Sequence, residues 1–316
     1  RSFRDFIAVA EQQGLLRRVT QAVDVSWEPA CLAKWAFQAL PDKDRFGLLF
    51  DNVKGSDLAL CTGALGASRQ AYALALDVEP EQINAQWENA LVNPLKPVTV
   101  ENAPCQEVVL KGDDAKLSDL PIPTWTPGKD AAPYITTTVM TRLVDSDNQN
   151  SGVYRTLVRD DHSVVVNMNP RRGGHDQCET WWKQGKSAPV AWVIGADPAY
   201  QLASVATLPT GVQEMEIAGG LKGAPIELVK CMTNDILIPA NAEIIIEGEI
   251  APGELDKEGP FGENLGFMCE ISDKPVALIT AITRRKDAIY YGMTSQMPPS
   301  ESTMLQSHAT AGMINK

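Results

Sequence analysis

Two carboxylates and one guanidinium could do chemistry together: Glu258 and Glu263, within Glu258-Gly259-Pro260-Phe261-Gly262-Glu263, and Arg155, closing Asn150-Ser151-Gly152-Val153-Tyr154-Arg155. Proline lacks an N–H and glycine admits turns that other residues resist, so both acids are expected on a compact loop rather than a helix face. Such a pair can divide its roles. One acid stays ionised beside an arginine, while the other, its pKa raised by burial or by its neighbour, carries a proton. Arg155 suits the third role, because a planar guanidinium grips a carboxylate through two parallel hydrogen bonds. The three together suit a site that handles carboxylic acids. Spacing alone favours a plainer alternative, a solvated acidic loop and an ordinary ion pair.

The elements that must position these residues fall into two styles. Ser2 and Asp5 have the spacing of a capping box, Phe3, Phe6, Ile7 and Ala10 form an apolar stripe, and Gly14 is a stop, so a first helix is predicted. Strands are expected at Gly47 to Phe50 and Leu58 to Cys61, and helices at Ala67 to Leu76 and Pro80 to Leu91, which makes a small α/β domain over residues 1–115. Asn93-Pro94-Leu95-Lys96-Pro97 and Pro121-Ile122-Pro123 bracket an extended linker, since residues before proline avoid helix. A second domain, residues 116–300, is read from long β-branched strands: Tyr134 to Val144, Val153 to Arg159, Ser163 to Asn167, Val190 to Ile194, Ile226 to Lys230, Glu243 to Ile250 and Val276 to Thr283. Short turns between some of them favour antiparallel pairing and a closed or partly closed barrel. Helices at about His175 to Gln184 and Val212 to Leu221 make the class α+β.

Composition narrows the partner. The 316 residues carry a net charge of −12 without any Lys/Arg-rich run, which argues against nucleic acid or an anionic membrane and for a small molecule. No run approaches the roughly 20 apolar residues of a membrane span, and the first residues lack a signal-peptide core, so a cytoplasmic location is expected. Six dispersed cysteines without a C-x-x-C pair read as reduced thiols. Neither a dinucleotide nor a P-loop glycine motif is present.

Four segments together resemble the UbiD-type decarboxylases, which use prenylated FMN: Asn150 to Arg155, Gly173-Gly174-His175, Glu227 to Asp235, and Glu247-Gly248-Glu249 followed by Glu258 to Glu263. The resemblance runs from the first helix to about Gly292. It implies an N-terminal α/β domain followed by a flavin-binding split β-barrel, and a reversible, non-oxidative decarboxylation of an α,β-unsaturated or (hetero)aromatic acid, with CO2 as co-product. By the same resemblance Arg155 clamps the substrate carboxylate, Glu258 orients Arg155, and Glu263 donates the proton that replaces CO2. Asn150, His175 and Glu214 would hold Mn2+ or Mg2+ against the cofactor phosphate, a mixed O/N set that suits a hard cation. Read alone, these three would be a hairpin residue, a helix start and a solvated helical acid. Gly152, Val153, Tyr154, Arg155, Gly174, His175, Ser204 and Glu214 would contact the cofactor, and the stretch Ala203 to Ala206 would also serve K+. Val205, Ala206 and Gly174 depart from residues seen in some members.

Members of the family continue into a third α/β domain that mediates dimerisation, closes over the flavin and brings a lysine to the phosphate. Residues 301–316 are expected to begin the connection to such a domain, which the chain, ending at Lys316, would lack. A flavin prenyltransferase is implied as cofactor supplier, and self-association as a homo-oligomer. Two other readings stay open: a flavin-binding protein without turnover, and a flavin reductase, which would not need the Glu-Arg-Glu set.

Overall fold

The computed structural model describes residues 1–208 and 212–314. Its first helix, α1 (Phe3–Gln12), starts at the expected capping box: the Ser2 hydroxyl accepts the Asp5 N–H while the Asp5 carboxylate accepts the Ser2 N–H. Phe3, Phe6, Ile7 and Ala10 are buried, and Gly14 leaves the helix with φ +73°. There follow β1 (Leu16–Val19), α2 (Glu28–Ala39), β2 (Gly47–Phe50), β3 (Ala59–Thr62), α3 (Arg69–Leu76) and α4 (Ile83–Val92). The strands and helices expected here are present, with α3 delayed to its Ser68 cap and Pro80–Gln82 forming a 3-10 turn before α4. β1 and α2 were not expected. In β1 two exposed arginines mask the strand pattern, and α2 has no side-chain cap, an alanine-rich inner face and Trp35 on its outside.

Residues 93–123 are not merely a linker, because they carry β4 (Val98–Thr99) and β5 (Val108–Lys111). An extended segment lying along a sheet edge satisfies its backbone groups by pairing there. Then come β6 (Tyr134–Ile135), β7 (Thr138–Arg142), β8 (Gln149–Val153), β9 (Thr156–Asp160), β10 (Ser163–Val166), α5 (Gly173–Trp182), β11 (Ala188–Ile194), α6 (Pro198–Val205) and α7 (Glu214–Lys222). The last elements are β12 (Glu227–Lys230), β13 (Leu237–Pro239), β14 (Ile244–Glu258), β15 (Ser272–Arg284), β16 (Ile289–Gly292) and α8 (Glu301–Ile314).

The central sheet runs β6-β9-β10-β15-β14-β11-β7-β8, all antiparallel, with β5 added on β15. Register shifts at Glu247/Gly248 and Ile250/Leu255 let the two longest strands curl, so the sheet wraps as an open barrel. Several strand expectations are corrected. Tyr134 to Val144 is two strands broken at Thr136-Thr137, and Val153 to Arg159 straddles the break between β8 and β9. Ile226 to Lys230 pairs with β13 and β4 in a separate small sheet. The strand from Glu243 runs on past Ile250, so Glu258 ends β14 instead of sitting in a loop.

β16 returns to the first sheet, parallel to β3, completing the order β1-β2-β3-β16. One apolar cluster extends from Phe3 to Ala309 and includes residues of both sheets. No helix among the described residues is long and apolar enough to cross a membrane. All six cysteines are free thiols, as expected.

Candidate active site

Arg155 lies where β8 has ended and β9 has not begun. Its own carbonyl accepts the Asn167 N–H, and the next residue, Thr156, bonds the Tyr154 carbonyl and accepts from the Trp192 indole, so this break is fixed on both sides. From there Arg155 meets Glu258 with Nε and Nη2, at 2.8 and 3.0 Å, and Glu263 with Nη1 at 2.7 Å. The bidentate partner is thus Glu258, whose carboxylate is fully buried, while the Glu263 side chain is 36% exposed. Removing a carboxylate from water costs several kcal/mol unless a cation and hydrogen bonds replace the solvent, which Arg155 does here. Burial by itself would lower the Arg155 pKa; the hydrogen bonds and charge of Glu258, then Glu263, raise it above its ordinary value.

The turn beyond Glu258 is held by its neighbours. Gly259, at φ +97°, donates its N–H to the Tyr134 hydroxyl, and Phe261 packs on the Tyr134 ring with centroids 4.4 Å apart. Burial raises the Tyr134 pKa, and the Glu258 charge adds to this, so the phenol stays protonated.

Arg155, Phe261 and Glu263 line a cavity of about 530 Å³ that also receives Asn150, Ser204 and Glu214. Asn150 reaches the cavity from within β8, and Arg155 from the break after it, five positions further along the chain. Tyr154 lies between them: its hydroxyl accepts the Gly174 N–H at 3.0 Å, and a Cβ at Gly152 or Gly174 would run into its ring. Gly152 and Val153 line the same wall. Gly173 passes so close to the Asn150 amide oxygen that any side chain there would displace it.

Glu214 opens α7, where its Oε2 is 3.4 Å from the Ser151 N–H. No cationic side chain pairs with it among the described residues, and burial raises its pKa. The end of α6 faces the cavity through Ser204, Val205 and Ala206. The Ser204 hydroxyl donates to the Tyr200 carbonyl at 2.8 Å, and a helix C-terminus presents carbonyls, an arrangement that favours a cation.

His175 is not brought to this cavity. It lines a second one, about 300 Å³, where its ring stands edge-on to Trp182 and its buried Nδ1 has no hydrogen-bond partner. Asn150 and Glu214 thus share the main cavity and His175 lines the other, and among the described residues no three His, Cys, Asp or Glu side chains are grouped so as to hold a metal ion. Sequence reasoning missed Asn167, Asn169 and Arg172, which line the main cavity. The pair Arg171-Arg172 before two glycines was a legible signal for the last; the asparagines offered none.

Residues 7–91 match the family described as the 3-octaprenyl-4-hydroxybenzoate carboxy-lyase N-terminal domain, and residues 96–298 match its Rift-related domain. An evolved dimeric form of the UbiD-class enzyme HmfF from Pelotomaculum thermopropionicum, in complex with prFMN, is 35% identical over 98% of this chain and 71% of its own, with TM-score 0.89. The vanillic acid decarboxylase of Sedimentibacter hydroxybenzoicus in closed form is 27% identical over 96% of this chain and 66% of its own, TM-score 0.89. The apo 3,4-dihydroxybenzoic acid decarboxylase of Klebsiella pneumoniae is 27% identical over 99% and 68%, again at TM-score 0.89.

Proposed function

Because the chain belongs to the UbiD family of carboxy-lyases, we propose that it decarboxylates an α,β-unsaturated or (hetero)aromatic carboxylic acid reversibly, using prenylated FMN. The observation that supports this most is the arginine at the cavity wall, held by one buried and one half-exposed carboxylate. Three of the five guanidinium N–H groups are used by Glu258 and Glu263, which leaves two for a substrate carboxylate. Glu258 keeps the guanidinium in place while the substrate docks. Glu263, the more exposed acid, is free to move from Arg155 toward the carbon that loses CO2 and to deliver its proton there, regaining one from solvent. The carboxylate leaves as CO2 and the C–H bond replaces the C–C bond. Prenylated FMN, when bound, supplies the electron sink for that cleavage.

Asn150 and Glu214 would hold Mn2+ or Mg2+, with His175 as the third donor after its ring has turned, and the carbonyls at the end of α6 would serve K+. Self-association and a cytoplasmic location belong to the same reading. The test is coexpression with a flavin prenyltransferase, a mass and absorbance spectrum of the purified protein, and CO2 release from cinnamic-type, phenolic, pyrrole and furan acids. Bound prenylated FMN and release from one acid class is the expected result. Bound cofactor with no CO2 from any class would point to a flavin-binding protein, and NAD(P)H oxidation in its place to a reductase.

A further inference from the structure

We propose that Asp130 is a positioning residue for the proton donor, and that the Thr126–Ala131 turn sets the place of the Glu263 loop; this rests on the role given to Glu263 above. The turn is itself well fixed. Trp125, fully buried, donates its indole N–H to the Tyr134 carbonyl at 2.9 Å, and the N–H groups of Lys129 and Asp130 both return to the Thr126 carbonyl at 3.0 Å.

From this base the turn holds the catalytic loop at consecutive points. The Ala131 N–H donates to the Pro260 carbonyl at 3.0 Å, and Asp130 accepts the Gly262 N–H at 3.1 Å with Oδ1 while Oδ2 accepts the Thr126 N–H at 2.7 Å. Gly262 has no side chain because Thr126 leaves no room: a Cβ there would collide with the Thr126 hydroxyl oxygen. Glu263 is the next residue, so its backbone is anchored one position away.

Beyond Glu263 the loop closes on itself: the Glu263 N–H donates to the Phe267 carbonyl at 2.8 Å, the Gly266 N–H to the Glu263 carbonyl at 2.9 Å, and the Cys269 N–H to the Phe261 carbonyl at 2.9 Å. The side chains of Leu265 and Phe267 are 71% and 74% exposed, and Asn264 reaches α8 through one exposed hydrogen bond to Gln306. The anchor at Asp130 is partly buried, with burial pushing its pKa up against the hydrogen bonds it accepts, and with the Ala131–Pro260 bond it ties this closed loop to the fixed turn.

Asp130→Asn should break one of the two contacts, since an amide offers one oxygen and must turn its NH2 toward the other N–H. Expected is a kcat lower by about 10- to 100-fold with KM within about threefold, the signature of a misplaced donor with an intact carboxylate clamp. Hydrogen exchange of the backbone amides over residues 259–268, measured without substrate, should quicken while exchange of β14 and β15 stays the same. Gly262→Ala should reproduce both effects, and Thr126→Ala combined with Gly262→Ala should restore them, because the colliding oxygen is gone. Unchanged kcat and exchange in Asp130→Asn would overturn the proposal, as would a uniform rise in exchange across the chain or failure of the double variant to recover. If the parent protein releases no CO2, the decarboxylase reading fails, and the exchange data alone still decide whether Asp130 holds the loop.

Discussion

The site has two ends with carboxylates in different electrostatic states: Glu258, bound to the cavity-lining Arg155, and Glu214, which lines the cavity itself. Glu258 has no exposed surface and is met by two parallel N–H groups of Arg155, with the Arg155 charge fixed by a second acid. Glu214 is part-buried, with one long hydrogen bond from the Ser151 N–H and no cation beside it among the described side chains. One end is electrostatically complete in the folded chain. The other has no counter-charge among the described side chains, so the contrast lies between the end proposed above to handle a proton and the end proposed to hold a cation.

The largest test of that contrast is Arg155→Ala. Glu258 would be left buried without a partner, so unfolding free energy should drop by about 3 to 5 kcal/mol, and KM should rise while kcat falls. Denaturant unfolding and steady-state kinetics measure both. Arg155→Lys should recover only part, since an ammonium cannot reproduce the side-on pair. Loss of the same size on a neutral substrate analogue would make Arg155 a structural residue and not a carboxylate clamp.

Glu263→Gln should act on turnover and hardly on stability. Its pairing with Arg155 is part-exposed and contributes about 1 kcal/mol or less, whereas loss of a general acid lowers decarboxylation by about 10² to 10⁴. Flavin and metal retention should stay near those of the parent. Turnover at the parent rate would remove Glu263 from the proton-donor role and weaken the distinction between the two ends.

The cation-holding end should show smaller effects that depend on metal and pH. The raised pKa of Glu214 means that the folded state binds its proton more tightly than the unfolded chain. Its contribution to stability is then most favourable at low pH and declines as pH rises above the ordinary 4.5. In EDTA, thermal unfolding between about pH 5 and 7 should show this decline in the parent and not in Glu214→Gln, and Mn2+ should erase the difference. Mn2+ and flavin titrations of Asn150→Ala and Glu214→Gln should show joint weakening. His175→Ala should weaken binding less, given where its ring lies, and parent-like affinity in that variant would leave Asn150 and Glu214 as the chain's own donors.

Residues whose signal is contained in a few neighbouring positions were legible without the fold. The Ser2/Asp5 capping box, the apolar stripe of α1, strands β2 and β3, and the free thiols follow from local hydrogen bonding, period and spacing. The residue types needed for acid chemistry were legible too, because Glu258, Glu263 and Arg155 sit in motifs with a recognisable order. Helix α6 was not: all eight of its residues are buried, so it has no polar face to give a period. Nor was the partnership of Arg155 with acids 103 and 108 positions away, the place of Glu258 at the end of a strand, the return of β16 to the first sheet, or the support from Asp130. Those depend on which strands pair and in what register, and register is decided by burial of whole faces across the sheet, a property that no window of the sequence contains.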